Sequence, residues 1–321
     1  MKKTLIAVIV AVFMLTLVAA CADATPAPPA TGTTPDVVAD NVSSSPEPAP
    51  TDNTPPPTEN TPEPAEDFDA SRRISVFTRE DGSGTRDAFV SITGVGDDMY
   101  LEAAVLTATA QIRSSVQENL FGIGYVSLGS LRDYVKALDI DGITPSAETI
   151  INGSYSIQRP FLIVTNDEKD TDELVQDFIK FVLSAQGQEI AADGWVSPVA
   201  SPADYTPGGL SGTLRIGGST SVDPLMQSLR TAYIEINPNV RIEISGGGSG
   251  TGISEATGGV IDIGMSSRNL REAEKEALNE YVIALDGVVV IVNNDNPISN
   301  MEMETVKEIF TGEKTNWNQI N

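Results

Sequence analysis

Apolar and polar positions alternate along 74–78, where Ile74, Val76 and Phe77 stand among Ser75 and Thr78, and this predicts a strand leading into the glycine-rich turn 79–85. The turn reads Arg79, Glu80, Asp81, Gly82, Ser83, Gly84, Thr85, and a helix is expected after it. Beyond it the pattern predicts a helix over 103–118, strands over 121–126 and 135–138, a capped helical turn from Ser146 and a strand over 161–165. Between 171 and 185, Leu174, Val175, Phe178, Ile179, Phe181 and Val182 recur at the spacing of one helix face, and Gly187 is expected to end that helix.

Residues 200–212 hold two prolines and three glycines and read as a linker or surface turn. After them one unit recurs: a β-like run, a turn of Ser, Thr and Gly, then a helical pattern. It appears at 214–236, again from 240 through the turn 245–252, and again from 261 through Ser266, Ser267 and Arg268. An apolar strand at 287–292 and a helix at 302–310 follow. Such alternation indicates an α/β fold with mostly parallel sheets, whose ligands sit at the carboxyl ends of strands.

Composition alters the picture at the amino-terminal end. Lys2 and Lys3 precede an apolar run over 5–20 that ends in small residues and Cys21, the single cysteine of the chain. Residues 1–21 resemble a bacterial lipoprotein signal peptide with Cys21 as the lipidation site, the alternatives being an ordinary cleaved signal or one membrane span. Residues 22–71 carry twelve of the twenty prolines and ten acids without a base, so they are expected to form a disordered tether. The formal charge of −25 belongs partly to this segment, and the remainder is still acidic. A nucleic-acid partner is therefore not expected, and an anionic ligand would have to be captured by local donors.

The turns supply such donors. Gly82 and Gly84 permit tight backbone turns, Ser83 and Thr85 bring hydroxyls, the next helix start presents unpaired N–H groups, and Arg79 adds a planar fork. The same residues also suit an ordinary loop and helix cap. Nucleotide enzymes are disfavoured, because no glycine-rich turn continues as Gly-Lys-Ser/Thr and 246–252 lacks dinucleotide spacing. With no histidine in the chain, His-based zinc sites and Ser-His-Asp hydrolysis are excluded. No metal site and no cofactor are expected.

These residues together resemble the phosphate-binding proteins of phosphate ABC transporters, the PstS-like substrate-binding proteins. The turns at 217–224, 245–253, 262–268 and 79–89 look like that family's four phosphate turns, and 155–164, 184–189 and 310–317 look like further landmarks. The order is rotated, because the turn at 79–89 would follow the segment at Asn316 and Trp317 in the family. This suggests a circular permutation whose old ends join through 200–212, the alternative being a truncated gene.

The resemblance implies a two-lobed type II periplasmic-binding-protein-like α/β fold with two crossing hinge strands, at 161–165 and 287–292. One lobe is expected from 72–160 plus 293–321 and the other from 161–292. It implies phosphate bound by Thr220, Ser221, Ser249 and Ser267 from one lobe and Arg79, Ser83, Gly84 and Thr85 from the other, with Ser221 and Gly84 acting chiefly through backbone N–H. At Ser267 some family members carry an aspartate, which leaves phosphate selectivity open here, and Arg268 would either point into the site or pair on the surface.

The implied function is non-enzymatic: a lipid-anchored protein on the extracytoplasmic face that delivers inorganic phosphate to a permease. A binder of sulfate or molybdate, a phosphate sensor or scavenger, and a carboxylate-dependent phosphoester hydrolase are the alternatives.

Overall fold

The computed structural model describes residues 68–320. The signal peptide, Cys21 and most of the tether lie outside the described residues. Phe68 already packs against the rings of Phe121 and Trp317, at 5.4 and 5.8 Å between centroids, so packed chain begins ahead of Arg72.

The first elements are β1 (Ser75–Arg79), α1 (Gly84–Thr93), β2 (Ala104–Leu106), α2 (Thr109–Gln117) and β3 (Gly122–Ser127). The segment expected as one helix over 103–118 is thus a short strand followed by a helix. Ala104, Val105 and Leu106 pair in parallel with Phe77, Thr78 and Arg79, and edge pairing overrides the helical propensity of Ala and Leu. Next come β4 (Lys136–Ala137), β5 (Asp139–Ile140), α3 (Ala147–Ile151) and β6 (Gln158–Thr165). Ser146 caps α3 by accepting from Thr149 N, and Thr149 Oγ1 accepts in return from Ser146 N.

The chain continues through α4 (Asp167–Asp170), α5 (Glu173–Leu183) and α6 (Ala185–Ala191). The helix expected over 171–185 is α5, capped by Asp172, and it stops at Ser184 because that side chain starts α6 by accepting from Gly187 N. Gly187 does not end a helix. It lets the two helices meet, since a Cβ there would stand 2.3 Å from Phe181 O.

Then follow β7 (Gly212–Gly218), α7 (Asp223–Ile236), β8 (Val240–Gly246), α8 (Ser249–Thr257), β9 (Ile263–Ser266), α9 (Glu272–Lys275), β10 (Asn279–Val292), β11 (Asn300–Met301) and α10 (Met303–Thr311).

The main sheet runs β2-β1-β3-β10-β6-β9-β7-β8, with β4 also on β10. Pairing is parallel among β1, β2 and β3 and among β7, β8 and β9. It is antiparallel where β10 meets β3 and β6 and where β6 meets β9. Both central strands are buried on both faces along 288–292 and 161–164. Val288, Val290 and Val292 enter one core while Val289 and Ile291 enter another on the opposite face. Likewise Phe161 and Ile163 face one core, Leu162 and Val164 another.

Two principal cores result. One gathers Phe89, Tyr125, Phe310 and Trp317, the other Phe161, Phe178, Phe181 and Tyr233, and the change from one to the other falls within β10 near Leu285.

The segment 200–211 has no regular structure, yet it is docked. Ala185 N donates to Ala203 O, Tyr205 N to Gln186 Oε1, and the Tyr205 hydroxyl to Asp177 Oδ2 at 2.5 Å. Asp177 is buried and also accepts from Tyr233 at 2.7 Å. Burial and the carboxylate push both tyrosine hydroxyls up, so each stays protonated and donating at neutral pH. Tyr205→Phe leaves Asp177 with one fewer donor and is expected to cost about 1–3 kcal/mol in urea unfolding and to speed proteolysis within 200–211. Unchanged stability and cleavage would show that the segment is held by other contacts.

Candidate functional site

Four turns stand at the carboxyl ends of the parallel strands β1, β7, β8 and β9, and three of them lead into the amino ends of α1, α7 and α8. Helix starts there carry N–H groups without intrahelical partners and a partial positive charge. Ser83 is the N-cap of α1, its Oγ accepting from Arg86 N at 3.4 Å, so Gly84 and Thr85 form the first turn. Gly248 precedes α8 at φ 89°, a conformation that suits glycine, and no side chain caps that helix.

The turns converge. Thr85 Oγ1 and Ser221 Oγ are 2.7 Å apart, although 136 positions separate them in sequence. Thr109 Oγ1 lies 3.1 Å from Ser221 Oγ and 3.4 Å from Thr220 Oγ1, and it accepts from Arg79 Nη1 at 3.1 Å. On the other flank Ser219 Oγ donates to Ser267 Oγ at 2.9 Å, and Ser267 N donates to Ser249 Oγ at 3.0 Å. Gly84 presses directly on this pair, because a Cβ on it would stand 2.2 Å from Ser249 Oγ and 2.8 Å from Ser267 Oγ. Gly250 N also donates to Gly82 O at 2.9 Å.

Of the eight residues named from the sequence, Ser83 adjoins the cluster as the neighbour of Gly84, and the others are in it. Seven are buried, and Thr220 is half-buried at the rim. Two hydroxyls are placed as follows. The Ser221 side chain, expected to matter chiefly through its N–H, has its hydroxyl at the centre of the cluster, whereas the Ser83 hydroxyl serves α1 as a cap.

Thr109 and Ser219 are additional members. Thr109 lay within a segment read as continuous helix, and only the break between β2 and α2 turns its hydroxyl inward. Ser219 stood in plain view in the turn after β7, as one more hydroxyl among several.

Cations at the site are already matched. Arg79, 2% exposed, directs Nε and Nη2 at the two carboxylate oxygens of Glu80, both at 2.9 Å. Arg268 does not reach the cluster. Its Nη1 and Nη2 fork onto Glu274 at 2.7 and 2.8 Å, and its Nε lies 2.9 Å from Asp87 Oδ2 on α1, so it ties the two lobes together beside the site. Among the described residues no group of three or more His, Cys, Asp or Glu gathers to hold a metal.

Two α/β lobes joined by antiparallel strands, with hydroxyl-bearing turns facing each other across the join, define a two-lobed binding protein of the type II periplasmic class. A family model described as a PBP superfamily domain matches residues 62–186 and 203–321. The phosphate-binding protein PstS 2 of Streptococcus pneumoniae is 44% identical over 260 residues, covering 78% of this chain and 89% of the relative. PstS 2 of Streptococcus agalactiae is 38% identical over 257 residues, covering 77% and 87%. The crystal structure of a phosphate-binding protein of a phosphate ABC transporter from Streptococcus pneumoniae matches with a TM-score of 0.65 at 42% identity, over 78% of this chain and all of that one. The chain belongs to the PBP superfamily and, within it, to the PstS-like substrate-binding proteins.

Gly84→Ala adds its methyl between Ser249 and Ser267 while remaining compatible with a helix start. Small-angle scattering is expected to show lobes held further apart with little loss of thermal stability, and a profile identical to that of the unsubstituted chain would contradict the contact. A second expectation concerns acid. The Arg268 fork, with the Arg271 N–H, holds the Glu274 carboxyl below its ordinary value of 4.5. The folded value is the depressed one, so this contribution is complete above the ordinary value and is lost as pH falls through the lower, folded one. Glu274→Gln should accordingly flatten the acid limb of a stability-against-pH curve, and superimposable limbs would contradict it.

Proposed function

We propose that this chain is an extracytoplasmic phosphate-binding protein, anchored by lipid on Cys21, that hands inorganic phosphate to an ABC permease. One observation carries the reading: donors from both lobes meet at a single point, with Thr85 on Ser221 and Gly84 on Ser249 and Ser267. A tetrahedral oxyanion satisfies several such donors at once, and only the closed arrangement offers both sets to it. The streptococcal PstS 2 relatives support phosphate as the ligand. The proposed lobes are 72–160 with 293–321, and 161–292.

Binding without chemistry suits the charges. Glu80, Asp87 and Asp286 are each engaged by an arginine, which leaves these three unsuited to act as a general base. The rotated order fits a permutation shared with the PstS 2 group. The PstS 2 match spans 89% of that relative, whereas Bacillus subtilis PstS aligns over 113 residues and 38% of its length, as expected when the order of two halves differs.

A second reading, another oxyanion such as sulfate, is favoured by Ser267. Its hydroxyl both donates and accepts, so it discriminates less against a fully deprotonated anion than a carboxylate would.

Calorimetry of the purified full chain with phosphate, sulfate and molybdate is expected to give the tightest binding with phosphate. Ser249→Ala should weaken it by about 1–3 kcal/mol, and Arg79→Gln by a similar amount, because Arg79 Nη1 holds Thr109 Oγ1 in the cluster. Absence of phosphate binding even at millimolar concentration would sink the proposal, and tighter sulfate binding would favour the second reading.

A further inference from the structure

Two buried charges stand outside the cluster just described. Arg159 on β6 and Asp286 on β10 face each other directly in the strand register and are 4% and 0% exposed. They lie where both strands pass from one core to the other, with Ile157 and Val288 on one side and Phe161 and Ala284 on the other.

Their bonds form a line through the molecule. Asp286 Oδ1 accepts from Ser127 Oγ at 2.9 Å and from Leu128 N at 3.1 Å, at the end of β3. Its Oδ2 accepts from Arg159 Nε at 3.0 Å. Arg159 Nη2 is also 3.0 Å from that oxygen but off the bonding direction, so Nε makes the directed bond. At the far end of the guanidinium, Nη1 donates to Ser267 O at 3.2 Å. Ser267 is the residue whose N–H reaches Ser249 and whose hydroxyl takes the Ser219 proton.

Burying a charge pair costs several kcal/mol of desolvation per ion, and two apolar side chains would join the strands without that cost. What the pair supplies beyond adhesion is direction, because the planar guanidinium reaches an acceptor on each side at a fixed separation.

We infer that Arg159 is a positioning residue for the anion site: aimed by Asp286, it holds the Ser267 backbone so that Ser267 keeps its place against Ser249 and Gly84. The inference rests on the anion-site reading above. Charge alone does not do this work, since a lysine at 159 retains the charge and loses the second reach.

The test is phosphate calorimetry together with thermal unfolding on the full chain and on Arg159→Lys, Asp286→Asn and Ser127→Ala, each alone and combined with Ser249→Ala. Binding by the unsubstituted chain examines the site reading on its own, so its failure is distinguishable from failure of the positioning role. Given that binding, Arg159→Lys is expected to raise Kd about tenfold at temperatures where the variant is folded, and to add little once Ser249→Ala is present. Ser127→Ala, remote from the ligand, is expected to raise Kd about threefold. A lower Tm with unchanged Kd, or full additivity with Ser249→Ala, would overturn the inference and leave the pair as a staple between strands. Should the two charge variants fail to fold, Ser127→Ala decides, and an unchanged Kd there overturns it.

Discussion

Strand β10 pairs with β3 through 288–292 and with β6 through 279–287, so the β1-β3 side of the sheet and the β6-β9-β7-β8 side are held in register by one segment. Its burial on both faces fixes that register, because a slip by one residue would exchange Val288, Val290 and Val292 with Val289 and Ile291 between opposite cores. Every donor turn sits at the end of a strand placed relative to β10. The 2.7 Å approach of Thr85 to Ser221 is therefore a consequence of sheet geometry as much as of the turns themselves.

The electrostatics follow a consistent plan in an acidic protein. Each buried arginine near the site is matched by a carboxylate: Arg79 by Glu80, Arg159 by Asp286, and Arg268 by Asp87 and Glu274. No large positive field is left to draw anions in from a distance. On the proposed reading, capture would depend on short-range donors, the hydroxyls and helix starts. Matching also fixes the guanidinium groups in direction, which a free surface arginine would lack.

Much of this was legible in the chain because turn chemistry and strand burial leave local marks. The β1 turn, the repeated units after 212 and the apolar run at 287–292 each carry their own signal, and the motifs in combination pointed to the turns that converge. What was hidden depends on pairing across distance. The 103–118 segment looks helical until β1 offers Ala104, Val105 and Leu106 a partner, and with that misreading went Thr109. Arg159 and Asp286 are 127 positions apart, and nothing local distinguishes them from surface charges until β6 and β10 lie side by side. Arg268 was left between two roles for the same reason, since Asp87 becomes its neighbour only when the lobes meet.

Whether the two lobes share one oxyanion between turns at strand ends is decided by a crystal structure of the chain grown with phosphate. One phosphate is expected, its oxygens accepting simultaneously from groups in 83–85 and from the turns carrying Ser221, Ser249 and Ser267. A phosphate held by one lobe alone, or seated away from these turns, would contradict it.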